Sequence, residues 1–315
     1  MKRILLFVLI ASGLAGCNRS PEFYFNRGNR LFAAGKESEA LESYNRALLL
    51  KRNFPEALTS RGLLFERQGD RQKAGLDYRK AIDINSAYLP AYNNLGAMLM
   101  DGGNYRGAVK LFTEALAFKQ DYSYALLNRG LSFYKLGDCA GATVDLSRAL
   151  ELNNKFGLAY YHRALCERNA RNLPAALADL DALLALNPTA VLALFERGKA
   201  MYHIADYSGG AREFAKAAEI KPEDPVYHYW LGMALYKAGY QEGALEAASR
   251  AAALKPDSHR LRGLLGDIYA VLKDKEKAAA QYMLAAALSP KSAPVYRSRL
   301  AALRKPAAPV RKKRK

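Results

Sequence analysis

Residues 225–258 read PVYHYWLGMALYKAGYQEGALEAASRAAALKPDS, and this stretch decides the fold. Leu231 and Leu235 lie at helical spacing in its first half. After a break, a second helical pattern runs from Ala244 to Leu254 and ends before a proline. The stretch therefore predicts a hairpin of two helices in 34 residues.

The same period of 34 residues runs along the chain without an insertion and defines eight repeats. We number them one to eight: 21–54, 55–88, 89–122, 123–156, 157–190, 191–224, 225–258 and 259–292. Position 8 holds glycine, or alanine in one repeat: Gly28, Gly62, Gly96, Gly130, Ala164, Gly198, Gly232 and Gly266. Position 20 holds alanine, or glycine in one repeat: Ala40, Ala74, Ala108, Ala142, Ala176, Gly210, Ala244 and Ala278. Columns that stay in phase over eight repeats indicate hairpins that each pack on their neighbours.

These columns resemble the tetratricopeptide repeat (TPR) family, which also carries aromatic residues at positions 11 and 24 and alanine at position 27. The resemblance implies an all-α fold, a right-handed α-solenoid of eight helix hairpins. Residues 293–304 are amphipathic and are expected to form a helix that caps the last repeat. The resemblance is specific for the fold, whereas function depends on sites placed on that fold.

Within each repeat, helix A is expected at about positions 2–14 and helix B at about positions 17–31. Glycine at position 15 of five repeats can end helix A in a left-handed conformation. Aspartate or asparagine at position 16 of six repeats can cap helix B.

The N-terminal residues read MKRILLFVLIASGLAGC and resemble a bacterial lipoprotein signal. Two cations precede an apolar run that is too short to span a bilayer comfortably. The sequence Leu14-Ala15-Gly16-Cys17 matches the lipobox. The resemblance implies that residues 1–16 are a signal peptide, removed by cleavage before Cys17. The alternative is an ordinary signal peptide followed by a chance cysteine.

Lipidation at Cys17 would place diacylglycerol on its thiol and a fatty acid such as palmitate on its amine, as the resemblance implies. Several acyl chains on one residue form a stable membrane anchor. Residues 17–20 would then be a short lipidated tether. Because Asn18 replaces the aspartate that retains enterobacterial lipoproteins in the inner membrane, we expect an outer-membrane location facing the periplasm.

The formal net charge is +18, and seven of the cations lie in the last twelve residues. Residues 305–315 lack apolar periodicity and are predicted to be disordered. Such a tail would be attracted to anionic lipid or to another polyanion of the envelope. Nucleic-acid binding is the alternative, and export of the chain argues against it.

Cys139 and Cys166 show no zinc-ligand spacing. A disulfide between them is allowed in an oxidising compartment. Two independent buried thiols are the alternative, and the sequence favours these thiols.

No catalytic constellation is evident. The histidines are scattered over different repeat positions: His162, His203, His228 and His259. The single tryptophan, Trp230, is expected to pack rather than bind. We therefore expect a protein that is not an enzyme, with no cofactor, no bound metal and no small-molecule substrate.

Positions 2, 5, 9 and 12 of helix A share one stripe, because residues at these spacings are neighbours on a helix. The TPR resemblance implies that this stripe lines a concave groove for peptides or helices. In repeats four to seven it is expected to expose a peptide-binding wall: Leu127, Leu131, Tyr134, Tyr161, Phe195, Tyr202, Tyr229, Met233 and Tyr236. The basic side chains expected at its edge are Lys135, His203 and Lys237. The alternative is that the aromatic residues pack on neighbouring A helices.

The expected occupant of the groove is an amphipathic helix or extended segment with apolar anchors and some acidic residues. The sequence thus predicts a membrane-anchored interaction scaffold of the bacterial envelope. Similar architectures imply two roles. One is a pilotin-like assembly factor for the pore of a type IV pilus or secretion system. The other is an adaptor that presents substrates to a periplasmic protease or cell-wall enzyme.

Overall fold

The computed structural model describes residues 19–304, and its regular secondary structure there consists of seventeen α-helices. No β-strand occurs in this part of the chain. The predicted signal peptide, the lipobox cysteine Cys17 and the basic tail lie outside the described residues. The prediction of an all-α fold built from consecutive helix hairpins is confirmed.

The helices fall into two bodies. The N-terminal body ends at Asp138 and contains α1 (Pro21–Ala33), α2 (Glu37–Leu50), α3 (Pro55–Arg67), α4 (Arg71–Ile84), α5 (Leu89–Asp101), α6 (Tyr105–Phe118) and α7 (Ser123–Lys135). The C-terminal body begins at Cys139 and opens with α8 (Cys139–Leu152), α9 (Gly157–Asn169), α10 (Leu173–Leu186), α11 (Val191–His203) and α12 (Tyr207–Ile220). It continues with α13 (Pro225–Ala238), α14 (Gln241–Leu254), α15 (His259–Val271), α16 (Lys275–Leu288) and α17 (Ala293–Arg304).

These bounds lie within about one residue of the predicted A and B helices. None of the helices between residues 19 and 304 combines the length and apolar content needed to cross a bilayer.

Each turn from helix A to helix B passes through a residue with a left-handed backbone. Five of these residues are glycines, with φ between 75° and 89°: Gly35, Gly69, Gly103, Gly137 and Gly239. The other three turns place a residue with a Cβ there, with φ of 63° or 64°: Arg171, Ala205 and Lys273. At four turns the predicted side-chain cap of helix B also forms, through Asp70, Asn104, Asp206 and Asp274.

In five repeats the glycine at position 8 receives an aromatic ring from helix B: Gly28, Gly62, Gly96, Gly198 and Gly266. A Cβ at Gly266 would lie 2.5 Å from the ring of Tyr282, and one at Gly62 would lie 2.5 Å from the ring of Tyr78. Only a residue without a side chain fits there. Tyr78 is fully buried and Tyr282 is 3% exposed, so these contacts form the centre of their hairpins.

A row of arginines joins neighbouring hairpins through ion pairs and hydrogen bonds, which the sequence did not predict. Arg163 of α9 donates to both carboxylate oxygens of Asp179 in α10, at 2.9 and 2.6 Å. It also donates to Ser147 in α8, at 2.9 Å. Arg197 of α11 bridges Glu213 at 2.8 Å and Asp181 at 2.7 Å in the same way. Each arginine thus holds its own helix B and the helix B of the preceding repeat.

The N-terminal body contains the same arrangement. Arg61 of α3 donates to Asp77 of α4 at 2.7 and 2.8 Å, and to Asn45 of α2 at 2.6 Å. The arginines occupy position 7, their carboxylates occupy position 23, and their second partners occupy position 25 of the preceding repeat. Repeat three carries leucine at both positions of the pair, as Leu95 and Leu111.

The interpretation of Cys139 and Cys166 as independent thiols is wrong, because the two residues form a disulfide. Their Cα atoms lie 5.2 Å apart, within the range that a disulfide spans. Cys139 opens α8 and Cys166 lies in α9, so the bond joins two consecutive helices of the C-terminal body. Only the packing of α8 against α9 brings the two positions together.

The predicted capping helix is present as α17. Its Tyr296 is 7% exposed and packs with the buried side chains of Ala278, Tyr282 and Ala285. Its Leu300 and Leu303 pack against the same cluster. Helix α17 therefore covers the apolar face that repeat eight presents at the end of the array.

Candidate functional site

Six of the predicted wall residues lie on three successive A helices of the C-terminal body, α9, α11 and α13. All six are half-buried: Tyr161, Phe195, Tyr202, Tyr229, Met233 and Tyr236. They share one face because they occupy positions 5, 9 and 12 of their repeats. This face of the C-terminal body is the candidate site, and we call it the helix-A face.

The middle of the helix-A face is a cluster of aromatic side chains. Phe195 lies 5.3 Å from Tyr227 and 5.8 Å from Phe214, measured between ring centroids. Tyr202 lies 5.6 Å from Trp230. Phe195 and Tyr202 thus contribute to packing between α11, α12 and α13, as the packing alternative anticipated. Trp230 packs as predicted.

Tyr229, Met233 and Tyr236 lie at the junction of α13 with α15. They pack against a buried cluster that includes Leu261, Leu264 and Leu265, and each keeps part of its surface exposed. Burial raises the pKa of Tyr229 and of Tyr236. Both hydroxyl groups therefore stay protonated, and able to donate a hydrogen bond, well above neutral pH.

The N-terminal body carries the other three predicted wall residues on α7. Leu131 and Tyr134 are half-buried, but Leu127 is only 8% exposed. The prediction that Leu127 is exposed on the wall is therefore wrong. Helix α7 packs against both α5 and α6, and its buried residues include Leu127.

The predicted basic edge consists of the exposed side chains of Lys135, His203 and Lys237. Each lies in the last turn of an A helix, at the end of α7, α11 or α13. Cations are stabilising at this end of a helix because it carries partial negative charge. Their place at the C-terminal end of a helix is therefore sufficient to explain these basic side chains, and no ligand is needed to explain them.

A cleft of about 520 Å³ opens between α13 and α15. Its lining includes Val226, Tyr229, Trp230, Lys255, Arg260 and Leu261. A second cleft of about 170 Å³ adjoins it and shares Tyr229 and Arg260. Of these residues, Tyr229 was predicted from the sequence, whereas Arg260 and Val226 were not. Both occupy position 2, a column of the predicted stripe, so following that column would have found them.

Position 2 also extends the helix-A face toward the start of the helices. Leu158 and Leu192 are both 57% exposed there, and Val226 is 46% exposed. Each lies one turn before the aromatic residue at position 5 of the same helix. Exposed apolar patches are typical of surfaces that bind other proteins, and these three exposed side chains repeat at one position of successive A helices.

Sequence models of repeat families match most of the chain. A model described as a tetratricopeptide repeat matches residues 93–155, 127–190, 161–225 and 229–293. A second model of the same description matches residues 55–88, and one described as a TPR repeat matches residues 28–69. No curated protein sequence matches the chain significantly.

Several solved structures share the fold. A tetratricopeptide repeat protein from Parabacteroides merdae is 22% identical with a TM-score of 0.53, over 80% of this chain and 99% of that one. YrrB, described as a TPR protein with an unusual peptide-binding site, is 22% identical with a TM-score of 0.52, over 58% and 94%. Pseudomonas aeruginosa pilF is 19% identical with a TM-score of 0.59, over 64% and 92%. At these identities the likeness concerns the fold.

Proposed function

The chain belongs to the tetratricopeptide repeat family, and from that premise we propose that it is a protein-interaction scaffold of the bacterial envelope that binds a partner segment on its helix-A face. Members of the family are generally non-catalytic scaffolds that bind peptides or proteins in this way. The observation that carries the proposal is the cleft of about 520 Å³ beside the exposed row Leu158, Leu192 and Val226. Clefts of this size with aromatic walls are typical of ligand sites.

Replacing Tyr161 and Tyr229 together by alanine tests this proposal. We expect the double variant to retain about a tenth or less of the partner captured by the wild type, because tyrosines covered by a partner often contribute most of the binding free energy. The measurement is quantitative capture from solubilised envelopes, with helicity followed by circular dichroism.

The matched control replaces Val144 and Leu284, two exposed apolar residues of B helices, by alanine. This control removes apolar surface from the other layer of helices and is expected to capture the partner normally. Equal capture by the tyrosine variant and the wild type would exclude the helix-A face as the binding surface.

We further propose that the chain is exported and anchored through lipid on Cys17, facing the periplasm from the outer membrane. The lipobox supports this proposal, and so does the Cys139–Cys166 disulfide, since disulfides persist in oxidising compartments. In the same proposal, the tail at residues 305–315 adds a weak attraction to anionic lipid or another envelope polyanion.

Cells grown with labelled palmitate are expected to incorporate the label into the wild-type chain and not into a Cys17→Ser variant. The variant should also leave the membrane fraction, because the remaining contacts with lipid are weak. The Cys139→Ser, Cys166→Ser variant is the control and should keep its label. Label retained without Cys17 would refute the anchor.

Two roles remain as proposals for the anchored scaffold. A pilotin-like assembly factor for a pilus or secretion pore is the first, and the likeness to Pseudomonas aeruginosa pilF, which concerns the fold alone, is compatible with it. An adaptor for a periplasmic protease or cell-wall enzyme is the second, and the open cleft favours it because a cleft accepts a side chain of an extended segment. Crosslinking through the helix-A face would recover a pore subunit in the first case and an enzyme or its substrate in the second.

A further inference from the structure

We propose that the cleft between α13 and α15 binds a partner segment in which a bulky apolar side chain lies next to a carboxylate side chain. This inference rests on the proposed function, because it defines what the helix-A face recognises. It assigns the apolar side chain to the cleft and the carboxylate to Arg260.

The walls of the cleft suit a large apolar side chain. Val226, Tyr229 and Trp230 come from α13, and Leu261 comes from α15. Aromatic walls offer a large contact area that is already fixed before binding, since Trp230 is held by Phe195, Tyr202 and Phe214. A side chain that enters such a rigid cleft loses little free energy to reorganisation of the protein.

The rim of the cleft is cationic. Lys255 and Arg260 line it, and neither forms an ion pair with any residue between 19 and 304. Arg299, in the adjoining cleft, is instead held by Asp267 at 2.6 Å. Arg260 is therefore the guanidinium that remains available at the point where the two clefts meet.

The placement of Arg260 departs from the pattern of its column. Position 2 holds no other cation in the eight repeats, and in the two preceding repeats it holds Leu192 and Val226. A guanidinium matches a carboxylate in geometry and forms two parallel hydrogen bonds with it. A partner segment bound along Leu158, Leu192 and Val226 would thus reach Arg260 next, and Arg260 is the first cation in this column.

The experiment begins with selection from a phage-displayed library of random peptides on the full chain purified in detergent. We expect the selected peptides to carry aspartate or glutamate close to a phenylalanine, tyrosine, tryptophan or leucine. Binding is then measured for the selected peptides by the fluorescence of Trp230, the single tryptophan of the chain. Its emission should shift when a peptide side chain enters the cleft.

Charge reversal by Arg260→Glu is expected to lower the affinity for these peptides by about tenfold or more, the loss typical of a charge-assisted hydrogen bond. Arg212→Glu is the matched control, since it changes the net charge equally but lies exposed on α12, away from the cleft. It should leave the affinity unchanged. Replacing the acidic residue of the peptide by its amide should weaken binding to the wild type but not to the Arg260→Glu variant, which has already lost the contact with the carboxylate.

The inference is overturned if no peptide is selected, if the selected peptides lack acidic residues, or if Arg260→Glu binds them as well as Arg212→Glu does. The proposed function would survive each of these results if the Tyr161→Ala, Tyr229→Ala variant still lost its envelope partner. Normal capture by that tyrosine variant would instead refute the proposed function, whatever Arg260 does.

Discussion

Replacing Arg163 by leucine is expected to lower the free energy of unfolding by about 3 kcal/mol or more. The substitution leaves Asp179 in place with its side chain only 7% exposed and without the guanidinium that held both of its oxygens. An unpaired carboxylate at that depth is costly, because it has lost its water as well as its partner. Denaturation by urea, followed by circular dichroism, measures the loss.

The chain itself supplies the control for this prediction. Repeat three places Leu95 and Leu111 where repeat five places the ion pair, so leucine at both positions is compatible with the fold. The double variant Arg163→Leu, Asp179→Leu should therefore recover most of the stability, to within about 1 kcal/mol of the wild type. If the double variant were no more stable than the single one, the buried charge would not be the cause of the loss.

Removal of the disulfide is the second large effect. Reduction of Cys139–Cys166 is expected to cost about 3–4 kcal/mol, because the bond closes a loop whose ends are 27 residues apart and so restricts the unfolded chain. The urea midpoint of the wild type should fall when a reductant is added. The loss should appear in the C-terminal body, where both cysteines lie.

A variant with Cys139→Ala and Cys166→Ala provides the comparison. Its midpoint should match that of the reduced wild type and should not respond to the reductant, although it retains Cys17. A wild-type midpoint that is insensitive to reduction would mean that the two thiols are not joined in the folded protein.

Most of the fold could be predicted from the 34-residue period of the sequence. Glycine at position 8, the small residues at position 20 and the turn at position 15 are each imposed by contacts within one hairpin, so a single hairpin predicts them. Contacts among three helices could not be predicted in this way. The pairing of Arg163 with both Asp179 and Ser147 depends on how α8 lies beside α9 and α10, and periodicity does not encode that placement.

The candidate site was predicted in part for a related reason. Helical spacing placed Tyr161, Tyr229 and Met233 on one face, where the structure also has them. Spacing did not indicate how deep a residue lies, so Leu127 was expected to be exposed and is buried. The cleft at Arg260 exists because α13 and α15 lie apart at this point. A column of residues in the sequence gives no information on the distance between two helices.

The arginine ion pairs favour assembly of the repeats in one order along the chain. Arg197 needs Asp181 from the preceding repeat, which leaves the ribosome or the membrane translocation channel earlier, and Glu213 from its own helix B, which follows shortly after. A newly emerged A helix therefore finds one of its two anchoring partners already in place. We expect the hairpins of the C-terminal body to assemble in the order of their arrival, each on the one before it. A chain that crosses a membrane N-terminus first would thus fold as it emerges.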